Sequence, residues 1–275
     1  MFRIVLYRHA AMTLAATIYL LSSSMVQAQT RPQITDAGIA QPKTMMYVGN
    51  SFFYYNNSMH SQVSAIATAA DPKNRAAYRS TSITMSGSGL NWHNIDAYFS
   101  PGGVASYSFV GDNEIRFNKF DKPFDLVIMM DCSQCPIHPQ LGPMFHEWAK
   151  KHSDTVRKHK AAPVLFMSWA YEDKPEMTAQ LAEQYTIAGN ANNALVIPAG
   201  LAFAKGIAKQ ADIKLYVADK RHPSARGGYL AAATTYAALY KKSPVGGPHP
   251  ATVDAATAKF LQEVAWETVQ EYYAK

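Results

Sequence analysis

The sequence predicts an α/β protein built on a parallel sheet with helices on both faces. Three observations carry this. Short apolar runs alternate with longer helical patterns, as in successive β-α-β units. One run, residues 124–130 (FDLVIMM), is apolar at every position but Asp125, as a strand buried on both faces is. No internal repeat is visible, and enough chain remains behind the N-terminal segment for one large domain with its own core.

Residues 1–28 are expected to be a signal peptide. Arg3 and Arg8 give a positive start, an apolar stretch follows, and Val26-Gln27-Ala28 fits the small-x-small pattern of a cleavage site. The apolar stretch is shorter than the ~20 residues of a membrane span. The mature protein is therefore expected to be secreted or periplasmic, cleaved near Ala28 and without a membrane span. Removing Arg3 and Arg8 takes the net charge from +6 to +4. That balance is spread along the chain and does not suggest nucleic acid as a partner. Cys132 and Cys135 are the only cysteines, and an oxidising compartment permits a disulfide between them.

Residues 29–43 are polar, carry two prolines and read as a flexible lead-in to a domain spanning 44–275. Strands are expected at 44–48, 82–85, 124–130, 164–169, 194–197 and 215–217. Helices are expected at 52–70, 144–160, 176–187, 201–210, 224–240 and 252–273. Residues 104–117, with alternating apolar positions around Gly111-Asp112-Asn113, read as an inserted β-hairpin on the loop side that builds the site.

In an open α/β sheet, ligands lie beyond the carboxyl ends of the strands. Four loops that follow predicted strands carry reactive residues: Gly49-Asn50-Ser51-Phe52, Ser86-Gly87-Ser88-Gly89, Asp131-Cys132-Ser133-Gln134 and Asp219-Lys220-Arg221-His222. Ser51 sits at a strand-to-helix turn where Gly49 permits a sharp bend. A serine hydroxyl needs a base. His222 can supply it, with Asp219 three residues earlier to orient the imidazole. The competing reading of Ser51 is a helix N-cap, and that of Asp219 and His222 is loop residues.

These blocks resemble those of the SGNH (GDSL-like) hydrolases, in order and across nearly the whole mature chain. The first block usually reads Gly-Asp-Ser. Here it is Gly49-Asn50-Ser51 followed by Phe52, as in a GNSF-type branch. Gly87 or Gly89 matches the second block, and Asp219-x-x-His222 the last. The resemblance implies a flavodoxin-like α/β/α sandwich and a serine esterase acting on carboxylic esters, often acetyl groups on carbohydrates. It implies Ser51, Asp219 and His222 as catalytic residues and no cofactor. It also implies an oxyanion hole from the Ser51 and Gly87 N–H groups. Where the third block usually supplies an asparagine, counting from Asp125 reaches Gln134, within DCSQCP rather than Gly-x-Asn-Asp. Asn91, His93 and Trp169 are candidate substrate contacts.

Two further functions use the same features: an acyltransferase on an extracellular polymer, through the same triad, and a non-catalytic carbohydrate-binding relative, favoured by the altered third block. A thiol–disulfide oxidoreductase is disfavoured, because Cys132 and Cys135 lack that motif's context. No metal site is expected, since His146-Glu147 is followed by Lys150 where a second histidine would stand.

Overall fold

The computed structural model describes residues 30–100, 102–104 and 106–274. The expected leader and its cleavage site lie outside the described residues. In chain order the strands are β1 (Thr44–Gly49), β2 (Arg79–Thr84), β3 (Tyr107–Gly111), β4 (Glu114–Phe117), β5 (Leu126–Met129), β6 (Ala162–Phe166) and β7 (Leu195–Ile197). The helices are α1 (Ser51–Tyr54), α2 (Met59–Ala70), α3 (Ile95–Phe99), α4 (Gly142–Lys158), α5 (Met177–Ala191), α6 (Ala199–Lys209), α7 (Ala225–Tyr240) and α8 (Ala255–Ala274).

Five strands form one parallel sheet in the order β2-β1-β5-β6-β7. Numbered among themselves they run 2-1-3-4-5, the flavodoxin order, which reverses direction between β1 and β5. That switch point opens a crevice at the carboxyl ends of these two strands. Right-handed crossovers put α4 and α5 on one face of the sheet and α2 on the other. The helix α7 packs against α2, α6 and α8 on the second face. It is Ala-rich and buried at every residue from Gly227 to Tyr240, as a helix apolar all round must be. All four residues of β5 are fully buried, as the uninterrupted apolar run 126–130 (LVIMM) requires.

The structure corrects three expectations. The helix expected over 52–70 is two helices. Asn56, Asn57 and Ser58 all have positive φ, at 54°, 62° and 66°, and turn the chain between α1 and α2. Left-handed backbone costs a side-chain-bearing residue roughly 1–2 kcal/mol, least for asparagine, and periodicity alone does not reveal it. Residues 215–217 form no sheet strand. Tyr216 instead makes an isolated antiparallel bridge to Pro223, folding the Asp219–His222 segment into a closed loop.

The hairpin β3–β4 forms as expected, but at the opposite end of the sheet from the site. Its far root, Phe120, carries the guanidinium of Arg79, the first residue of β2, 3.8 Å from its ring centroid. Its near root follows Phe99, which stacks on His159 just past the end of α4. On one hairpin face Tyr107 pairs with Phe117 and Phe109 with Ile115. All four stand exposed, Phe109 to 75 %.

Residues 30–43 form neither helix nor strand. They are tied to α5: Asn190 Nδ2 donates to Arg31 O across 2.9 Å, and Asn190 Oδ1 accepts from Gln33 N across 2.8 Å. Among the described residues, no helix is long and apolar enough to cross a membrane.

Candidate active site

Strand β1 delivers Ser51 to the crevice. Gly49 acts there through space rather than backbone freedom, because its φ is not positive. A β-carbon at Gly49 would stand 2.9 Å from Phe53 Cδ2 and 3.3 Å from Met130 Cε. Asn50, not Ser51, caps α1: its Oδ1 accepts from Phe52 N across 3.2 Å. Its Nδ2 donates to Ser88 O across 3.0 Å and to Asp131 O across 3.1 Å. One buried amide thus joins the loops after β1, β2 and β5. Relieved of capping, the Ser51 hydroxyl lies 2.7 Å from His222 Nε2.

The His222 ring is held from both ends. Its Nδ1 lies 2.5 Å from Asp219 Oδ2, while Asp219 Oδ1 accepts from the backbone N–H groups of Arg221 and His222, each at 2.9 Å. With the Nδ1 proton directed at Asp219, Nε2 is left as the acceptor facing Ser51. Burial alone would raise the Asp219 carboxyl. The hydrogen bonds from the His222 ring and from the two backbone N–H groups outweigh it and hold the group at about 2. Tyr55 lies flat on the imidazole, centroids 4.3 Å apart and planes 11° apart, and Phe52 meets it edge-on at 5.5 Å.

Every carbonyl from Lys220 to Ser224 accepts a hydrogen bond. Glu172 N donates to Lys220 O at 2.9 Å and Val217 N to His222 O at 3.0 Å. Trp169 Nε1 donates to Arg221 O at 3.0 Å. Asn56 Nδ2 donates to Pro223 O at 2.9 Å and Ser224 O at 3.0 Å.

Of the expected oxyanion groups, Gly87 is exposed with φ +72° at the third position of a Met85–Ser88 turn, closed by Ser88 N donating to Met85 O across 3.2 Å. A turn of this kind requires a positive φ there, hence glycine. Gln134 is exposed, and its side chain makes no hydrogen bond among the described residues. It stands inside the two-residue loop closed by the Cys132–Cys135 disulfide, with Cα atoms 5.2 Å apart.

Among the expected substrate contacts, only Asn91 is exposed. His93 is 3 % exposed and belongs to the wall behind the site. Its Nε2 meets Ser88 Oγ at 3.1 Å and its Nδ1 meets Tyr98 OH at 3.2 Å, while Ser88 Oγ donates to Gly49 O across 3.0 Å. Burial, with the nearby His152, pulls the His93 imidazole down to about 4. Trp169 is fully buried, stacked between Phe52 at 4.6 Å and Phe203 at 4.2 Å. No face remains for a ligand. The position after a strand end suggested a platform, but burial made Trp169 a support for the histidine loop.

The sequence gives no role to Asn56, and places Asp131 only as the first residue of the loop after the third predicted strand. Asn56 opens the positive-φ break and Tyr55, with φ −56°, immediately precedes it; the Asn-Asn-Ser run is its sequence signal, since asparagine tolerates left-handed backbone. Asp131, 4 % exposed, accepts through Oδ1 from Leu90 N at 2.8 Å and from Cys132 N at 2.9 Å. Burial raises its carboxyl against those two donors.

No protein-family model matches the sequence, and neither does any curated protein. Solved structures do match. One is a DUF4886 family protein from Bacteroides uniformis, with TM-score 0.56 and 17 % identity over 84 % of this chain and 95 % of that one. Another, from Slackia heliotrinireducens, is assigned to the SGNH hydrolases, with TM-score 0.51 and 21 % identity over 69 % of this chain and 94 % of that one. A third is an acetylxylan esterase from Geobacillus stearothermophilus, in a catalytic-mutant form, with TM-score 0.51 and 15 % identity over 75 % and 98 % of the two chains. At these identities the likeness is one of fold.

Proposed function

The chain has the fold of the SGNH hydrolases, and from that premise we propose that it is an exported serine esterase working through an acyl-enzyme. The observation that supports this reading is the unbroken line of contacts from Asp219 Oδ2 through the His222 ring to Ser51 Oγ, at 2.5 Å and 2.7 Å. Ser51 Oγ attacks the ester carbonyl as His222 Nε2 takes its proton. The tetrahedral oxyanion is held by the N–H groups of Ser51 and Gly87 and by the Gln134 amide. Collapse expels the alcohol, which leaves with the proton from His222. Water, deprotonated by the same nitrogen, then releases the acid. Asp219 stabilises the imidazolium in both halves.

The substrate in this reading is an acetyl ester on a carbohydrate, a class suggested by the acetylxylan esterase that shares the fold. No cofactor enters the mechanism. A fluorophosphonate probe tests the reading, because only an activated serine reacts with it. Labelling at Ser51 is expected, lost in both Ser51→Ala and His222→Ala. On a short-chain aryl ester each variant should lose most turnover, and the double variant little more, since the residues act as one unit. A wild-type chain that neither labels nor hydrolyses would leave a non-catalytic carbohydrate binder. Acetyl transfer to sugar faster than to water would instead favour the acyltransferase.

A further inference from the structure

The segment that bears the nucleophile also grips the loop that bears the base. Five consecutive carbonyls, Lys220 to Ser224, accept hydrogen bonds, and two of them are served by one side chain, Asn56. Other donors to these carbonyls come from the β6-to-α5 connection, in Trp169 and Glu172, or from the loop's own neighbourhood, in Val217 and Gly228. Asn56 alone reaches them from the Ser51 side. It lies five residues beyond Ser51, one beyond the Tyr55 ring stacked on His222, and its backbone is left-handed with φ 54°.

From this we infer that Asn56 is a positioning residue that sets the distance between Ser51 and His222. Its Nδ2 spans the gap between the two segments and bonds the carbonyls directly after the histidine, at 2.9 and 3.0 Å. Its backbone O accepts from Gln62 Nε2 at 3.2 Å, which anchors the donor to α2. The neighbouring Gly228 leaves room for it: a β-carbon there would stand 3.3 Å from Asn56 Nδ2. Backbone held in a sparsely populated region at a functional site is the expected mark of such a device. Without the clamp, the histidine loop keeps its own bonds to Trp169, Glu172 and Asp219 and its ring contacts with Tyr55 and Phe52, but among the described residues the Ser51–His222 contact itself is then the one hydrogen bond joining it to the nucleophile's segment. The inference rests on the reading of Ser51 and His222 as nucleophile and base.

Two substitutions test it in the full chain. Asn56→Gly keeps the left-handed backbone and removes the donor. Asn56→Asp keeps the shape and sets carboxylate oxygen against two carbonyls. Asn57→Gly, an exposed neighbour in the same conformation, is the control. Both Asn56 variants should lower kcat on a short-chain aryl ester and the rate of fluorophosphonate labelling by roughly 10²-fold, the scale of a small misplacement of reacting groups, with KM little changed. Asn57→Gly should behave as wild type. The far-downfield proton resonance of the His222 Nδ1–H, which reports its bond to Asp219, should persist in Asn56→Gly, because that bond lies within the loop. An active wild type with an equally fast Asn56→Gly would overturn the inference alone, as would an equal loss in Asn57→Gly. A wild type that neither labels nor hydrolyses would remove the esterase reading and this inference with it.

Discussion

Trp169 Nε1 donates to the backbone oxygen of Arg221 across 3.0 Å, so a ring at the centre of the core holds the residue next to His222. Trp169→Phe keeps an aromatic between Phe52 and Phe203 and removes only the donor and some volume. We expect stability to fall by about 1–3 kcal/mol, the cost of an unpaired carbonyl, and kcat to fall more than KM changes. Urea unfolding beside steady-state kinetics measures both. Unchanged turnover would show that the Arg221 bond does not place His222.

Asn50→Asp would restore the Gly-Asp-Ser usual in the resembling family, yet here it should harm the protein. A carboxylate at this position turns two donated bonds, to Ser88 O and Asp131 O, into two oxygen–oxygen contacts at a site 3 % exposed. The Asp131 carboxyl is already raised by burial nearby. A loss of about 1–3 kcal/mol or more is expected, read as a lower denaturant midpoint, with slower turnover as the three loops part. A variant as stable as wild type would mean that the surrounding loops supply other donors.

His93 makes stability depend on pH. Its folded value, about 4, lies below the ordinary 6.5, so between those values the unfolded chain binds the extra proton. The contribution of the neutral imidazole is fully present above pH 6.5 and is lost as pH falls towards 4. His93→Gln should flatten the fall of the denaturant midpoint over that window. An equally steep fall in the variant would assign the effect to other groups, His152 first among them, since burial lowers it too.

Gln134 is exposed beside the crevice, inside the disulfide-closed loop. If its amide serves the oxyanion, Gln134→Ala should lower kcat by roughly 10²–10³-fold with little change in KM. Replacing Cys132 and Cys135 by serine should cost about 2 kcal/mol of stability or less, because the closed loop is short, and should lower kcat less than Gln134→Ala does. A fully active Gln134→Ala would leave the oxyanion to backbone N–H groups.

The sheet was legible because burial on both faces writes itself into runs such as 124–130, and because β-α alternation needs no knowledge of contacts. That Ser51, Asp219 and His222 meet was legible because each follows a strand or its remnant at a spacing that chemistry constrains. What escaped was set by three-dimensional neighbours. Trp169 and His93 read as contacts because their positions lie near the crevice, and only packing shows that both face inward. The hairpin's end of the sheet depends on the path of α3, which residues 95–99 do not announce. The positive-φ turn at 56–58 is a conformational choice that apolar periodicity passes over.

Ser51 and His222 stand 171 residues apart in the chain, the first behind the opening strand and the second ahead of the last two helices. At ribosomal rates of ~5–20 residues per second, roughly ten to thirty seconds separate the appearance of the two side chains. Through that interval the serine is an ordinary alcohol. On the proposed reading of Ser51 and His222, reactivity is therefore latent until the C-terminal third docks, and a truncated or stalled chain carries a harmless hydroxyl. The distance in sequence would then act as a timer, with completion of the fold the event that arms the serine.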